Sequence, residues 1–174
     1  MSIKQMSFIV FPCLFPFLIY SAHAANWGRV NMQGAIIDTA CAISVASREQ
    51  TIDMGIVPLG EVARDGQGRS KPFSIDLVNC VTERPGKADW KQFQVTFDGD
   101  AEGSLFGVRG EASGVALKIL DSEGHIATPG KALPLITLTP GSKQLNYTLR
   151  LVANRHALKS GNYFSVVRFK LDYF

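Results

Sequence analysis

Side chains that do chemistry are scarce in this sequence. It holds three cysteines and three histidines in 174 residues. His125 follows Gly124 in a turn and His156 lies in a polar stretch. Isolated imidazoles with no cysteine or paired acid at ligand spacing do not make a zinc site, so both read as surface residues. No Gly-x-Ser-x-Gly elbow is present for a serine nucleophile. The acids fall mostly in turns and on polar strand faces, and no pair is marked out as acid and base. Gly66-Gln67-Gly68 lacks the strand–loop–helix context of a phosphate cradle and reads as solvated loop. The 18 basic residues are scattered, with no basic run, so nucleic acid is not an expected partner. Trp27 and Trp90 are far apart in sequence and read as core or interface residues rather than a sugar platform. Asn146-Tyr147-Thr148 has the form of a glycosylation sequon but falls inside a strand, and reads as coincidence. The expectation is a chain with no catalytic residue, no metal, no cofactor and no small-molecule substrate.

Long apolar runs are missing as well. The one candidate, residues 8–20, is broken by Pro12 and Pro16 and is too short to span a membrane as a helix. Lys4 precedes it and Ala22-His23-Ala24 follows it with the small-x-small form of a cleavage site. Residues 1–24 therefore read as a secretory signal, leaving 150 residues (174 less 24), enough to bury a core. Export decides the cysteine question. Cys13 leaves with the signal, and Cys41 and Cys80 remain as an even pair in an oxidising compartment, where one disulfide is expected. Closing a loop of about 40 residues is worth roughly 3–4 kcal/mol in the chain-entropy account. Without Lys4, 17 basic residues face 15 acidic ones.

What is abundant is alternation. Residues 25–33 form a short arm with Asn26, Gly28, Val30 and Met32 on one side, and an extended stretch leads from Gly34 to Ile43. Residues 51–58 follow a polar break at residues 47–50, and residues 60–71 read as a loop rich in glycine and charge. Phe73, Ile75 and Leu77 alternate up to Cys80; Phe93, Val95 and Phe97 alternate up to Asp98-Gly99; Val115, Leu117 and Ile119 alternate before the turn at residues 121–124. Residues 133–139 are extended, Pro140-Gly141 turns the chain, and Leu145, Tyr147, Leu149 and Leu151 share a face. Residues 154–159 have the look of a short helical turn. No long segment has the apolar spacing of an amphipathic helix. Seven or eight short strands with frequent turns make an all-β sandwich.

The final strand decides the rest. Val167, Phe169, Leu171 and Tyr173 fall on one face, while Arg168, Lys170 and Asp172 fall on the other. It runs to the last residue given. Tucked inside a sheet, such a strand is unremarkable. Pairing on one side only, it would leave a row of backbone donors and acceptors that another strand can satisfy.

An exported chain with an early cysteine, a second about forty residues on, a β-only body and an alternating C-terminal strand with a penultimate tyrosine resembles the subunits of chaperone–usher pili. Gly34 through Cys41 is similar to that family's first strand, Leu77-Val78-Asn79-Cys80 to the strand with its second cysteine, and Gly161 and Tyr173 to its C-terminal signature. The resemblance implies an incomplete immunoglobulin-like β-sandwich that lacks its final strand and is completed by donor-strand complementation. It implies an arm at residues 25–33 and a pilin domain at residues 34–174. A periplasmic chaperone would bind along Val167, Phe169, Leu171 and Tyr173, with a basic cleft for the carboxylate of Phe174. Asn26, Gly28, Val30 and Met32 would be the donor face presented to a neighbouring subunit, with an outer-membrane usher as the assembly platform.

Within that family the body resembles the P-pilus terminator through Thr51-Ile52-Asp53-Met54-Gly55, Val95 to Gly99, Gly130 to Pro134, and the block from Asn146 to Phe174. The implied role is a structural, non-enzymatic minor subunit that terminates or anchors a fibre at the surface of a Gram-negative bacterium. An ordinary rod or adaptor pilin is the alternative. A carbohydrate-binding tip adhesin would need a lectin domain ahead of Cys41, which falls only seventeen residues into the mature chain (41 less 24).

Overall fold

The computed structural model describes residues 29–34, 36 and 38–174. The signal at residues 1–24, together with Asn26 and Gly28, lies outside the described residues. The chain divides into two units, Met1–Ile36 and Ile37–Phe174. In the first, residues 29–34 have no regular structure, and Val30 and Met32 are exposed.

Among its described residues, the second unit holds twelve strands and two helices in the order β1 (Ala42–Ile43), α1 (Val45–Arg48), α2 (Leu59–Asp65), β2 (Gln67–Cys80), β3 (Gln92–Gly99), β4 (Ala101–Glu102), β5 (Leu105–Phe106), β6 (Arg109–Gly110), β7 (Val115–Asp121), β8 (Ile126–Ala127), β9 (Ile136–Thr137), β10 (Gly141–Ala153), β11 (Tyr163–Phe164) and β12 (Val167–Tyr173). One sheet runs β1-β2-β10-β7-β5-β4, with β8 on β7. A second runs β12-β3-β9, and β6 pairs with β11 alone. All pairings are antiparallel. The long pair β2–β10 sets Phe73 opposite Tyr147 and Ile75 opposite Leu145, which keeps the alternating apolar residues of both strands on one face.

That face meets the inner face of β3. Phe93, Val95 and Phe97 are fully buried against Ile75, Leu77, Leu117, Leu149 and their neighbours in one core. The Phe97 ring stands edge-on to Tyr147 at 4.9 Å and to Phe73 at 6.3 Å, joining the two sheets. Cys41 and Cys80 are buried and disulfide-bonded, tying the residue before β1 to the last residue of β2. This is the pairing that export and parity imply.

Three expectations need correction. Residues 60–71 are not a solvated loop: helix α2 occupies the first half and β2 the second, so Gly66-Gln67-Gly68 is a helix cap running into a strand. Gly66, at φ 70°, closes the helix by donating its N–H to the Val62 carbonyl at 2.9 Å. Leu59 and Val62 are spaced for one helical face, and Val62 is buried. Residues 154–159 are not helical either. Arg155 sits at φ 71°, Asn154 Oδ1 accepts the His156 N–H at 3.1 Å, and Lys159 bridges to Ser113, so a local side-chain turn wins over the helix. Among the described residues from Gly34 to Ile43, Ala42–Ile43 alone form a strand, and residues 51–58 belong to none.

Candidate functional site

The second sheet ends on β12. Its register against β3 places Phe169 opposite Phe97, Leu171 opposite Val95 and Tyr173 opposite Phe93. Among the described residues, no strand pairs with its other edge. Burial follows this asymmetry. Phe93, Val95 and Phe97 are completely covered, whereas Val167, Phe169, Leu171 and Tyr173, packed on the same core, are only half-buried. The opposite face carries Arg168 and Lys170 in solvent, paired with Asp98 at 3.2 Å and Asp172 at 3.0 Å. The inner row therefore has neighbours on one side and beneath, and an open flank on the other.

The far rim of that flank is residues 44–57, which run beside β2 without forming a strand. Ser44 donates its N–H to the Asp76 carbonyl at 2.9 Å, and the Asp76 N–H donates to Ser47 Oγ at 2.9 Å. Gln50 Nε2 reaches the Ser74 carbonyl at 2.8 Å. Further along, a Cβ on Gly68 would meet Val57 Cγ1 at 2.7 Å, so glycine is what admits the close crossing. Ile43, Ile52, Met54 and Val57 of this rim are partly buried against the core. One residue of the rim, and one just ahead of β1, lie near the tyrosines of β11 and β12. The Cys41 backbone neighbours the Tyr173 hydroxyl, and Asp53 lies close enough to Tyr163 to act on its charge. Burial raises both hydroxyls above the ordinary tyrosine range; Asp53 adds to this at Tyr163, while the Cys41 backbone opposes it at Tyr173. The open flank of β12, a trough lined by Val167, Phe169, Leu171 and Tyr173, thus has an unpaired strand edge as its wall.

The fimbrial protein family matches residues 30–173. The chain belongs to that family. The PRS fimbrial minor pilin protein of Escherichia coli is 37% identical over 150 residues, covering 84% of this chain and 77% of the relative. The major MR/P fimbria protein of Proteus mirabilis (strain HI4320) is 32% identical over 161 residues, covering 88% and 89%. The crystal structure of the P pilus rod subunit PapA superposes with a TM-score of 0.69 at 22% identity, spanning 78% of this chain and 100% of that one. The fold is thus the incomplete immunoglobulin-like sandwich of chaperone–usher pilins. The chain is a structural fimbrial subunit, exported to the periplasm for assembly at the surface of a Gram-negative bacterium.

In this fimbrial subunit the residues expected at the groove edge are only partly brought together. Val167, Phe169, Leu171 and Tyr173 form one row. Phe174 follows with an exposed ring, and its main-chain carboxylate oxygen accepts the N–H groups of Lys91 at 2.7 Å and Gln92 at 3.1 Å. Gly161 stands apart, in the crossing of residues 157–164 over residues 109–114. A Cβ there would meet Glu111 Cβ at 2.6 Å and the Glu111 backbone at 2.8 Å, so Gly161 serves a close backbone approach rather than the trough. The rim at residues 44–57 was missed as part of the site. Ile52 and Met54, two apart and followed by Gly55 at φ 67°, were the available signal. His125 Nδ1 lies 2.8 Å from Asp121, and His156 Nδ1 lies 3.6 Å from Glu102. Among the described residues, no helix is long and apolar enough to cross a membrane.

Proposed function

We propose that the trough beside β12 is a strand-acceptor site, and that the chain acts by strand addition rather than by catalysis. The carrying observation is the half-buried row Val167, Phe169, Leu171 and Tyr173 on an edge whose backbone has no partner among the described residues. An extended segment laid along that edge would satisfy the ladder and seat alternate side chains on the row. A periplasmic chaperone strand fills the trough first, and assembly proceeds through an outer-membrane usher. The subunit's own arm, residues 25–33 with Asn26, Gly28, Val30 and Met32 on its donor face, fills a neighbour's trough in turn.

The position in the fibre is read as minor and terminal. Support comes from the 37% identity to the PRS and PAP fimbrial minor pilin proteins and from a donor face with only two large apolar side chains, Val30 and Met32. A rod or adaptor position is the second reading, favoured by the major MR/P fimbria protein at 32% identity over nearly its whole length. One experiment tests the shared mechanism and a second separates the readings. Deleting residues 25–33 should leave chaperone capture intact and abolish incorporation into fibres under either one. Mixing the chaperone-bound full chain with an arm peptide from another subunit of the same system then discriminates. A terminal subunit stays chaperone-bound for far longer than a rod subunit run alongside it, and displacement at the rod subunit's rate would overturn the terminal reading.

A further inference from the structure

At the Tyr173 end of the trough, four side chains form a column. The Arg84 guanidinium lies flat over Trp90, 3.7 Å from the ring centroid. The Trp90 ring lies 5.7 Å from that of Tyr173, which in turn lies 6.0 Å from Phe93. On its other side Arg84 Nη2 meets Asp38 at 2.6 Å, and Lys87 Nζ reaches the same carboxylate oxygen at 2.9 Å. These two cations hold the Asp38 carboxyl below its ordinary range through their hydrogen bonds.

The loop carrying Arg84 and Trp90 is fixed at both ends. Val81 donates its N–H to the Ala40 carbonyl at 2.9 Å, Trp90 donates to Thr82 at 2.8 Å, and Lys91 donates to Phe174 at 2.7 Å. Arg84 differs from the other arginines with ion pairs. Its side chain is 19% exposed, whereas those of Arg64, Arg109 and Arg168 are 65–80% exposed. Its Nε is buried with no hydrogen-bond partner. A nearly enclosed guanidinium with an unpaired nitrogen is costly to keep for a surface ion pair alone. A planar cation lying on an aromatic face is what arginine provides and lysine does not.

We propose that Arg84 is a positioning residue for strand capture: acting through Trp90, it holds the Tyr173 ring in the half-open site that an incoming strand must cover. The proposal rests on the strand-acceptor reading. Arg84 lies on Trp90, whose ring in turn meets Tyr173, so its effect passes through Trp90. Replacing it should let the tryptophan and then the tyrosine relax, speeding release of a bound strand without changing the row itself.

The test uses the full chain captured by its chaperone in the periplasm. Release is followed as exchange against excess chaperone carrying a second tag, and the thermal midpoint of each complex is measured alongside. Arg84→Ala should speed exchange by about tenfold, the scale of a partly desolvated cation–π contact. Arg84→Lys keeps a cation for Asp38 but has no plane to lay on Trp90. It should return the thermal midpoint to near the wild-type value while exchange stays fast. Arg64→Ala, which removes an exposed pair with Asp65 on helix α2, an element packed on β2 and β10, should leave exchange unchanged. Wild-type exchange rates in both Arg84 variants, or full recovery of slow exchange by lysine, would overturn the role of Arg84. If Arg84→Ala fails to accumulate, the lysine variant alone decides. Failure of the strand-acceptor reading would look different, because the unmodified chain would then form no chaperone complex.

Discussion

Replacing Phe169 by alanine removes the central aromatic of the β12 row and nothing from the charged face. Fully burying a phenylalanine side chain is worth roughly 1.5–3 kcal/mol. Phe169 is already mostly covered in the subunit alone, against Phe97 at 6.3 Å, so at most about a third of that, roughly 0.5–1 kcal/mol, remains to be gained when a strand covers it. The Phe169→Ala complex should therefore weaken by about 2- to 5-fold in dissociation constant. Arg168→Ala and Lys170→Ala lie on the same strand but lose only exposed ion pairs, whose contribution is typically about 1 kcal/mol or less. The assay is competition: tagged wild-type and variant subunits are co-expressed with limiting chaperone, and the ratio recovered with chaperone is read by mass spectrometry. Phe169→Ala should be depleted and the two charge variants recovered at near parity. Equal depletion of Arg168→Ala and Phe169→Ala would mean that capture does not follow the apolar row, and the trough would lose its assignment.

Reducing the Cys41–Cys80 bond removes roughly 3–4 kcal/mol of chain-entropy stabilisation and should lower the thermal midpoint by about 10 °C in differential scanning fluorimetry; an unchanged midpoint would show that the bond adds no net stability. Gly161→Ala forces a Cβ into the Glu111 backbone and should cost about 1–3 kcal/mol, seen as a lower urea midpoint for the chaperone complex, whereas Gly86→Ser, in a turn with open space around it, should cost less.

The walls of the trough differ in how plainly they can be read. β12, β3, β7 and the second half of β10 alternate because one face of each meets the core, and alternation survives in sequence. The first half of β2 does not alternate. From Arg69 to Pro72 both faces are exposed, and its strand character comes from pairing with β10, with Ser70 opposite Arg150 and Pro72 opposite Thr148. Pro72 is tolerated there because β2 has a single ladder partner along that stretch, so a missing N–H can face the unpaired side. The rim at residues 44–57 is harder still. Its course is set by hydrogen bonds to Asp76 and Ser74 and by the crossing at Gly68, contacts some twenty to thirty residues away in most cases that no local pattern announces. Composition misled at residues 59–65, where charged residues and two flanking glycines hid a helix held by one buried valine and a left-handed cap.

The half-open core also bears on why such a subunit keeps a disulfide. Four side chains of β12, each with up to about a third of its surface open, leave on the order of 2–4 kcal/mol of apolar burial ungained until a strand arrives. A domain of this size is typically stable by only about 5–15 kcal/mol in total. Strand addition is therefore a sizeable fraction of the margin of folding. The Cys41–Cys80 bond acts on the other side of the balance, by restricting the unfolded chain rather than by adding a contact in the trough. It can hold the two ends of the β1–β2 region together while the β12 edge stays open. Closing that edge with the chain's own residues would stabilise the domain equally well, but it would also remove the site. The sequence stabilises what surrounds the trough and leaves its row of Val167, Phe169, Leu171 and Tyr173 half-covered, as a surface that binds by finishing a fold must do.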